Sequence, residues 1–193
     1  LQIWYKNATG ITSDGGSPDL VSQWDDSSGY DRHAAQGTSN LQASIDEGGL
    51  NFDANASNND FYRIDTSTTA AVQLKHPNAF TLAVVLKREG GAGDDNVIIS
   101  DDNSNVYIGF LTESNTVVNG AATAFVGTPW TNNEKLLFTL TKDTSGNIVF
   151  YKNGVVAAID SGATTATSTS DFLVDFIGTL KDGTAAGSDK HFD

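Results

Sequence analysis

The stretch from Lys135 to Ala158, KLLFTLTKDTSGNIVFYKNGVVAA, decides the fold class of this chain. Apolar residues alternate with other residues along its first eight positions, which is the period of a strand with one buried face. A turn-rich segment at 143–147 leads to a second apolar run, and Asn153-Gly154 leads to a third. An Asn-Gly pair between apolar strands predicts a type I′ hairpin, because both residues tolerate positive φ. The stretch therefore predicts an antiparallel meander of three strands.

The remainder of the chain continues this β pattern. In Phe80–Lys87 the apolar side chains at every second position share one face. A short helical turn is predicted within Ser67–Leu74. Further short strands are predicted at Gln2–Tyr5, Val21–Trp24, Leu50–Phe52, Phe61–Ile64, Val97–Ser100, Val106–Leu111, Ala122–Val126 and Phe172–Ile177. Short strands joined by turn-rich links predict an all-β fold, a two-sheet antiparallel β-sandwich.

Length and charge restrict the classes of partner. A chain of 193 residues fits one domain, 1–193. It carries 24 Asp and Glu against 11 Lys and Arg, a net charge of −13, which would repel nucleic-acid phosphates and anionic lipids. The same acidity suits calcium capture by loops. Cysteine is absent, so no disulfide is available, and no apolar run approaches the roughly 20 residues that span a bilayer.

A family resemblance begins in the first quarter of the chain. The strand Val21–Trp24 is followed by an acidic turn at 25–29, by His33-Ala34-Ala35-Gln36 and by Leu50-Asn51-Phe52-Asp53. This run resembles the N-terminal half of laminin-G-like jelly-roll domains of the concanavalin A-like lectin/glucanase superfamily. Later segments follow the family's order: Phe80-Thr81-Leu82, Thr141-Lys142-Asp143, Phe150-Tyr151-Lys152-Asn153-Gly154 and Ile177-Gly178. The resemblance implies a jelly-roll sandwich that recognises glycans or proteins.

Two departures from the family pattern bear on function. Tyr30-Asp31-Arg32 stands where family members often carry a Gly-Asn-rich turn. In addition, related domains continue beyond the position of Asp193 into a last strand that pairs with the first. The resemblance thus implies that domain 1–193 is part of a larger protein and lacks its last strand. Either that strand lies outside this sequence, or a neighbouring chain or domain supplies it.

The sequence predicts a protein without catalytic activity. Glucanases of this superfamily place carboxylates as Glu-x-Asp-x-x-Glu along one strand, as hydrolysis of a glycosidic bond requires. Here the glutamates Glu47, Glu89, Glu113 and Glu134 are widely separated. The three histidines lack metal-protease spacing, and the chain has neither a nucleophile elbow nor a phosphate-binding glycine loop.

Calcium is the one cofactor that the residues suggest, because it takes several oxygen ligands from closely spaced side chains. The segment 101–105 resembles the start of an EF-hand loop, but Val106 and Thr112 occupy the positions of its glycine and its glutamate. We therefore expect a looser site between loops, drawn from Asp25, Asp26, Asp94, Asp95, Asp101 and Asp102. The competing interpretation is that these residues cap turns through Asx hydrogen bonds.

Carbohydrate sites combine an aromatic face with amide and carboxylate groups. Trp4 and Trp24 are predicted to lie in the core. The predicted carbohydrate-binding residues are Tyr30, Arg32, Trp130, Asn132, Asn103 and Asn105. They suggest a non-catalytic recognition module that binds a glycan or cell-surface polysaccharide.

That module would belong to an extracellular, cell-surface or virion-surface protein, with neither nucleic acid nor membrane insertion as a target. The alternative is a structural or assembly domain of a viral spike, fibre or decoration protein, or of a cell-surface protein, which contacts neighbouring subunits through an open sheet edge. An exposed aromatic side chain beside Asn and Asp would favour binding. An apolar open edge beside Leu1–Tyr5 would favour assembly.

Overall fold

The structure is a computed structural model, and it describes residues 1–7, 9–46, 48–52, 54–55, 58–67, 72–74, 78–87, 96–102, 107–112, 115–118, 121–124, 131, 133–157, 166–167 and 172–179. Within these ranges the regular structure is β-strand, apart from one 3-10 turn at Ser39–Leu41. The predicted all-β class is confirmed.

Twenty strands are present in the described ranges. In chain order they are β1 (Ile11–Ser13), β2 (Val21–Trp24), β3 (Ala34–Ala35), β4 (Ser44–Asp46), β5 (Gly49–Asn51), β6 (Ala54–Asn55), β7 (Asn58–Asn59), β8 (Tyr62–Ile64), β9 (Val72–Leu74), β10 (Phe80–Lys87), β11 (Asn96–Ser100), β12 (Tyr107–Thr112), β13 (Asn115–Val118), β14 (Ala121–Ala124), β15 (Lys135–Lys142), β16 (Asn147–Lys152), β17 (Val155–Val156), β18 (Ala166–Thr167), β19 (Phe172–Val174) and β20 (Phe176–Ile177).

Two large sheets organise these strands. One has nine strands in the order β1-β2-β3-β8-β20-β11-β12-β13-β14. The other has five, with β10-β15-β16-β17 in sequence and β18 also paired with β16. Three two-stranded pairs, β9 with β19, β4 with β5 and β6 with β7, complete the described part. Every pairing in these sheets is antiparallel.

The predicted meander is confirmed. β15 pairs with β16 and β16 with β17, while β10 pairs with β15 over its full length in an unbroken register. Asn153 and Gly154 have φ values of 51° and 80°, the two positive values that a type I′ turn requires. The bounds of β10 and β15 are those that the alternation of apolar residues predicts.

The two large sheets share one hydrophobic core. Buried side chains of the five-stranded sheet include Phe138, Leu140 and Phe150, none of them more than 1% exposed. They join one cluster with Ile99 and Ile108 of the nine-stranded sheet. Because burial of apolar surface is the main favourable term in folding, this shared cluster holds the sheets together. The arrangement is consistent with a β-sandwich.

A second, smaller core lies beneath the segment that carries the acidic turn. Tyr62 is fully buried there, with Phe52 packed edge-on at a ring-centroid distance of 5.6 Å. The Tyr62 hydroxyl donates to the carbonyl of Val21 at 2.9 Å. Burial raises the pKa of Tyr62 well above its ordinary value. This core anchors β2, the strand that the acidic turn follows.

Two local predictions were wrong. Gln2–Tyr5 is not a strand, and it forms one isolated bridge, Tyr5 with Asp26, because side chains take over most of its main-chain hydrogen bonding. The predicted strand Phe172–Ile177 is divided at Asp175 into β19 and β20, which pair in different sheets. The helical turn predicted within Ser67–Leu74 stays a prediction, because residues 68–71 lie outside the described residues, while the end of that segment is β9, paired with β19.

Candidate functional site

The acidic turn after β2 is organised by the carboxylate of Asp26, which is only 7% exposed. Its Oδ1 accepts the main-chain N–H groups of Trp4 and Ser28 at 2.8 and 2.9 Å. Its Oδ2 accepts the Ser28 hydroxyl at 2.6 Å and the N–H of Arg32 at 3.3 Å. Burial alone would raise the pKa of Asp26, but these hydrogen bonds outweigh it and hold the pKa below its ordinary value.

Arg32 is the second residue that holds the N-terminal segment to this turn. Its side chain is buried, and Nη1 donates to the carbonyl of Gln2 at 2.7 Å and to Gln2 Oε1 at 3.4 Å. The hydroxyl of Tyr5 donates to the carbonyl of Arg32 at 2.5 Å. Burial raises the pKa of Tyr5, with the negative charge of Asp26 as a further cause. The Arg32 guanidinium is therefore engaged inside the protein.

Tyr30 presents an aromatic ring at the surface of the same turn, with 43% of the residue exposed. The Arg32 guanidinium carbon lies 4.6 Å from the ring centroid, within the range of a cation–π interaction. The N–H of Tyr30 donates to Ser28 Oγ at 3.4 Å. The structure thus brings together two predicted carbohydrate-binding residues, Tyr30 and Arg32, as an exposed ring supported by a buried cation.

Trp4 is a second exposed aromatic residue, and the prediction that it lies in the core was wrong. It is 47% exposed, and Lys6 Nζ lies 4.2 Å from its ring centroid. The alternation of side chains in the sequence indicates this exposure. In an extended chain Trp4 faces away from Ile3 and Tyr5, which both pack on the cores. Trp24 is partly buried against the smaller core, and its Nε1 donates to the carbonyl of Lys6 at 2.8 Å.

The predicted calcium ligands Asp25 and Asp26 are engaged with neighbouring protein groups. Asp25 Oδ1 accepts the side-chain amide of Gln23 at 2.7 Å and lies 3.5 Å from His33 Nδ1. Asp26 has the four hydrogen bonds given above. Asp26 therefore shows the turn-capping contacts of the competing interpretation, whereas the contacts of Asp25 are with the side chains of Gln23 and His33.

The other described acidic candidates lie at the end of β11. Asp101 Oδ2 accepts the N–H of Leu173 at 2.7 Å, and Asp102 Oδ2 lies 3.8 Å from Arg63 Nη2. The N–H of Asp102 donates to Asp175 Oδ2 at 3.0 Å. Burial raises the pKa of Asp175, and the negative charges of Asp101 and Asp102 raise it further. These carboxylates therefore repel one another at neutral pH.

The remaining predicted site residues, Asp94, Asp95, Asn103, Asn105, Trp130 and Asn132, lie outside the described residues. Where the structure does describe the chain, no three His, Asp or Glu side chains are grouped so as to hold a metal ion. Calcium binding stays a prediction.

A large open cavity of about 1330 Å³ lies beside the N-terminal segment. One wall is the segment Leu1–Tyr5, and another is formed by all eight residues of β10. The floor includes Ile98, Ile99 and Ile177 from the nine-stranded sheet. Polar groups, among them Asn51 and Asp46, line part of its margin. The cavity therefore reaches from the surface to the interior between the two sheets.

Comparison with known proteins adds no family assignment. No model of a protein family matches the chain, and no curated protein matches it. None of the helical structure in the described ranges is long and apolar enough to cross a membrane.

Proposed function

We propose that this chain is a non-catalytic carbohydrate-recognition module of an extracellular, cell-surface or virion-surface protein. The observation that carries the proposal is the exposed ring of Tyr30, supported from beneath by the Arg32 guanidinium. An aromatic face of this kind stacks on the apolar side of a pyranose ring. Stacking needs no movement of the protein, because the buried arginine already holds the ring in place.

Polar groups beside Tyr30 suit the hydroxyl groups of a sugar. Ser28 stands two positions before Tyr30 and Asp31 directly follows it, with a left-handed φ of 55° in the tight turn. Asp26 holds the main chain of this turn at two N–H groups, those of Ser28 and Arg32. A turn fixed before binding loses little conformational entropy when a ligand arrives, which favours affinity.

The fold that we propose for this module is a jelly roll of the laminin-G-like, concanavalin A-like type. Two observations support it. The structure has two large antiparallel sheets around a shared core. The segments that resemble the family occur in the family's order along the chain, from Val21–Trp24 to Ile177-Gly178. Function still depends on the site rather than on the sandwich itself.

The test is a glycan array with the purified protein and three variants. We expect selective binding by the wild type and by Tyr30→Phe, which keeps the aromatic face. Tyr30→Ala should bind the same glycans about five- to tenfold more weakly, since one lost stacking contact is worth roughly 1–1.5 kcal/mol. Val155→Ala, at an exposed position of the five-stranded sheet, is the control and should bind as the wild type does.

Two results would contradict the proposal. A folded wild-type protein that binds no glycan would reject the recognition function, and full binding by Tyr30→Ala would reject the site. The array is run in calcium and again with chelator. Binding that disappears with chelator would support the predicted calcium site, whereas equal binding in both conditions would show that glycan binding does not need calcium.

A further inference from the structure

Strand β10 lies at an edge of the five-stranded sheet. In the part of the chain that the structure describes, β15 pairs with it on one side and no strand pairs with it on the other. An edge strand of eight residues presents a row of main-chain N–H and C=O groups that can pair with a further strand. The cavity described above runs along this edge, because residues from both faces of β10 line it.

The hydrogen bonds of β15 show which main-chain groups of β10 point to the edge opposite β15. The N–H of Leu137 donates to Asn153 Oδ1, and its carbonyl accepts the N–H of Asn153, so the main chain of Leu137 points away from β10. Successive residues of a strand point their main-chain groups in alternate directions, so the even-numbered residues of β15 bond to β10. By the register, the main-chain N–H and C=O groups of Thr81, Ala83 and Val85 therefore point away from β15.

The core is also incompletely covered along this edge. Leu82 and Val84 face inward but are only partly buried, whereas their register partners Leu140 and Phe138 are fully buried. On the outer face Val85 is 61% exposed. Long apolar edges of this kind tend to pair with other strands, and proteins ordinarily cover or charge them.

The size of the cavity fits one strand. Strands lie about 4.8 Å apart, sheets about 10 Å apart, and each residue advances about 3.4 Å, so a strand residue within a sandwich takes up about 160 Å³. An open cavity of about 1330 Å³ therefore has room for one extended strand alongside the eight residues of β10.

We propose that this cavity is a docking slot for a single extended strand of a partner polypeptide, which pairs antiparallel with the edge of β10 opposite β15. Its side chains would be apolar at alternate positions, to cover Leu82 and Val84. Its first residues would be acidic, because Lys87 and Lys135 are register partners at the end of the slot where an antiparallel strand begins. The inference goes beyond glycan recognition and uses different residues.

Other occupants fit the slot less well. The edge of a second copy brings its whole sheet with it, whereas Leu1–Tyr5 and β10 bound a space of single-strand volume on two sides. Two copies with a net charge of −13 each would also repel. A glycan would meet mainly aliphatic walls along β10 and would leave the edge N–H groups without a regular row of partners.

The first experiment uses a labelled octapeptide, Glu-Leu-Thr-Phe-Thr-Leu-Thr-Lys, which keeps the inward-facing residues of β15. We expect saturable binding by fluorescence anisotropy. Binding should be at least about fivefold weaker for a peptide with Lys in place of the first Glu, and absent for a scrambled peptide of the same composition. Absence of binding by the first peptide, or equal binding by the scrambled one, would overturn the proposal.

The second experiment places the peptide on β10. Val85→Pro removes an N–H at the edge opposite β15 without removing a bond to β15, and proline is tolerated at edges of this kind. We expect at least a tenfold loss of peptide binding in a variant whose circular dichroism remains that of the wild type. Val85→Ala keeps the N–H and is the matched control, with binding within about threefold of wild type. Equal binding by both variants would overturn the docking position.

Two readouts identify the other occupants. Sedimentation velocity tests for a second copy of this chain. If the protein binds no peptide but dimerises with concentration, and Val85→Pro abolishes the dimer, the occupant of the slot is a second copy and not a partner strand. Peptide binding by Tyr30→Ala should equal that of wild type, because the slot is independent of the proposed sugar site. Competition by a glycan from the array would instead overturn the assignment of the slot to a strand.

Discussion

The main-chain N–H of Trp4 donates a 2.8 Å hydrogen bond to the buried carboxylate of Asp26, 22 positions further along the chain. This bond joins the two parts of the molecule on which both proposals depend. On one side, Asp26 fixes the turn that presents Tyr30. On the other, it positions the N-terminal segment that forms a wall of the cavity. The two surfaces therefore share a structural support, although they would bind different ligands.

Asp26→Asn should lower the free energy of unfolding by about 1–3 kcal/mol, because an amide nitrogen cannot accept the hydrogen bonds made by one carboxylate oxygen. The folded-state pKa of Asp26 is lowered, so its contribution is present above the unfolded value of about 3.9 and is lost as the pH falls through the folded value. Urea denaturation at pH 7 and pH 3 measures the change. The difference between variant and wild type should shrink at the lower pH.

Asp25→Asn is the control for this prediction. The Asp25 side chain is 41% exposed, and its hydrogen bond to Gln23 can be kept by the amide oxygen. We expect a change within about 0.5 kcal/mol. Equal losses in both variants would contradict the assignment of Asp26 as the residue that organises the turn.

Asp175→Asn should stabilise the protein at pH 7 by less than about 1 kcal/mol. Burial and the charges of Asp101 and Asp102 raise the pKa of Asp175, so ionisation destabilises the folded state. For a carboxyl group with a raised folded pKa, stability falls as the pH rises through that value. The gain from the substitution should therefore be present at pH 7 and disappear below the unfolded pKa.

Asp143→Asn should destabilise the protein at pH 7, the opposite of the effect expected for Asp175→Asn. The carboxylate of Asp143 accepts hydrogen bonds from the side chain and main chain of Asn147 and from the N–H of Ser145, which lower its pKa. Thermal unfolding of both variants across pH 3–8 compares them. A stabilising effect of both substitutions would point to relief of the overall negative charge rather than to local repulsion at Asp175.

Leu140→Ala should cost about 2–5 kcal/mol of unfolding free energy, because this side chain is fully buried between the sheets. Leu82, its register partner on β10, faces the open cavity and is only partly buried. We expect Leu82→Ala to cost about 1 kcal/mol in the free protein. Denaturant unfolding of the pair measures both values. Equal costs would show that the inner face of β10 is as well covered as that of β15.

Gly178→Ala should destabilise the protein by about 2–4 kcal/mol. Gly178 has a φ of +85°, and a Cβ there would lie 2.7 Å from Cδ1 of the buried Phe52 ring. Gly154→Ala separates the two causes, because its φ is +80° and nothing lies within 4 Å of the added Cβ. We expect a cost of about 1 kcal/mol for Gly154→Ala. A cost at Gly178 no larger than at Gly154 would contradict the steric conflict with Phe52.

The fold was predictable where its causes are local. Alternation in Phe80–Lys87 and Lys135–Lys142 specified both strands to the residue, since a half-buried strand needs that period. Gln2–Tyr5 misled the prediction because its partners are the side chains of Asp26 and Arg32 rather than a neighbouring strand. The prediction that Trp4 lies in the core was wrong because it followed the hydrophobicity of tryptophan, whereas the alternation with Ile3 and Tyr5 places the Trp4 side chain on the outer side.

The candidate site was predictable only in part. The sequence suggests Tyr30 because an aromatic residue in a polar turn departs from the pattern of the family that the chain resembles. The burial of Arg32 beneath it was not foreseen, because a surface turn gives no sign that its cation points inward. Asp26 was assigned as a calcium ligand, and the contact that distinguishes it is a hydrogen bond to Trp4, far away in sequence.

The sequence by itself determined the all-β class, the meander and its Asn-Gly turn, because side-chain period and the φ preference of turn residues act over a few positions. Only the tertiary structure decided that β10 lies at a sheet edge, that Asp26 holds the N-terminal segment, and that Tyr30 rests on Arg32. The contacts that join Trp4 to Asp26 and Gln2 to Arg32 link residues 22 and 30 positions apart. Such contacts depend on the packed sheets, because burial makes an unpaired carboxylate or guanidinium costly and favours the partners that satisfy it.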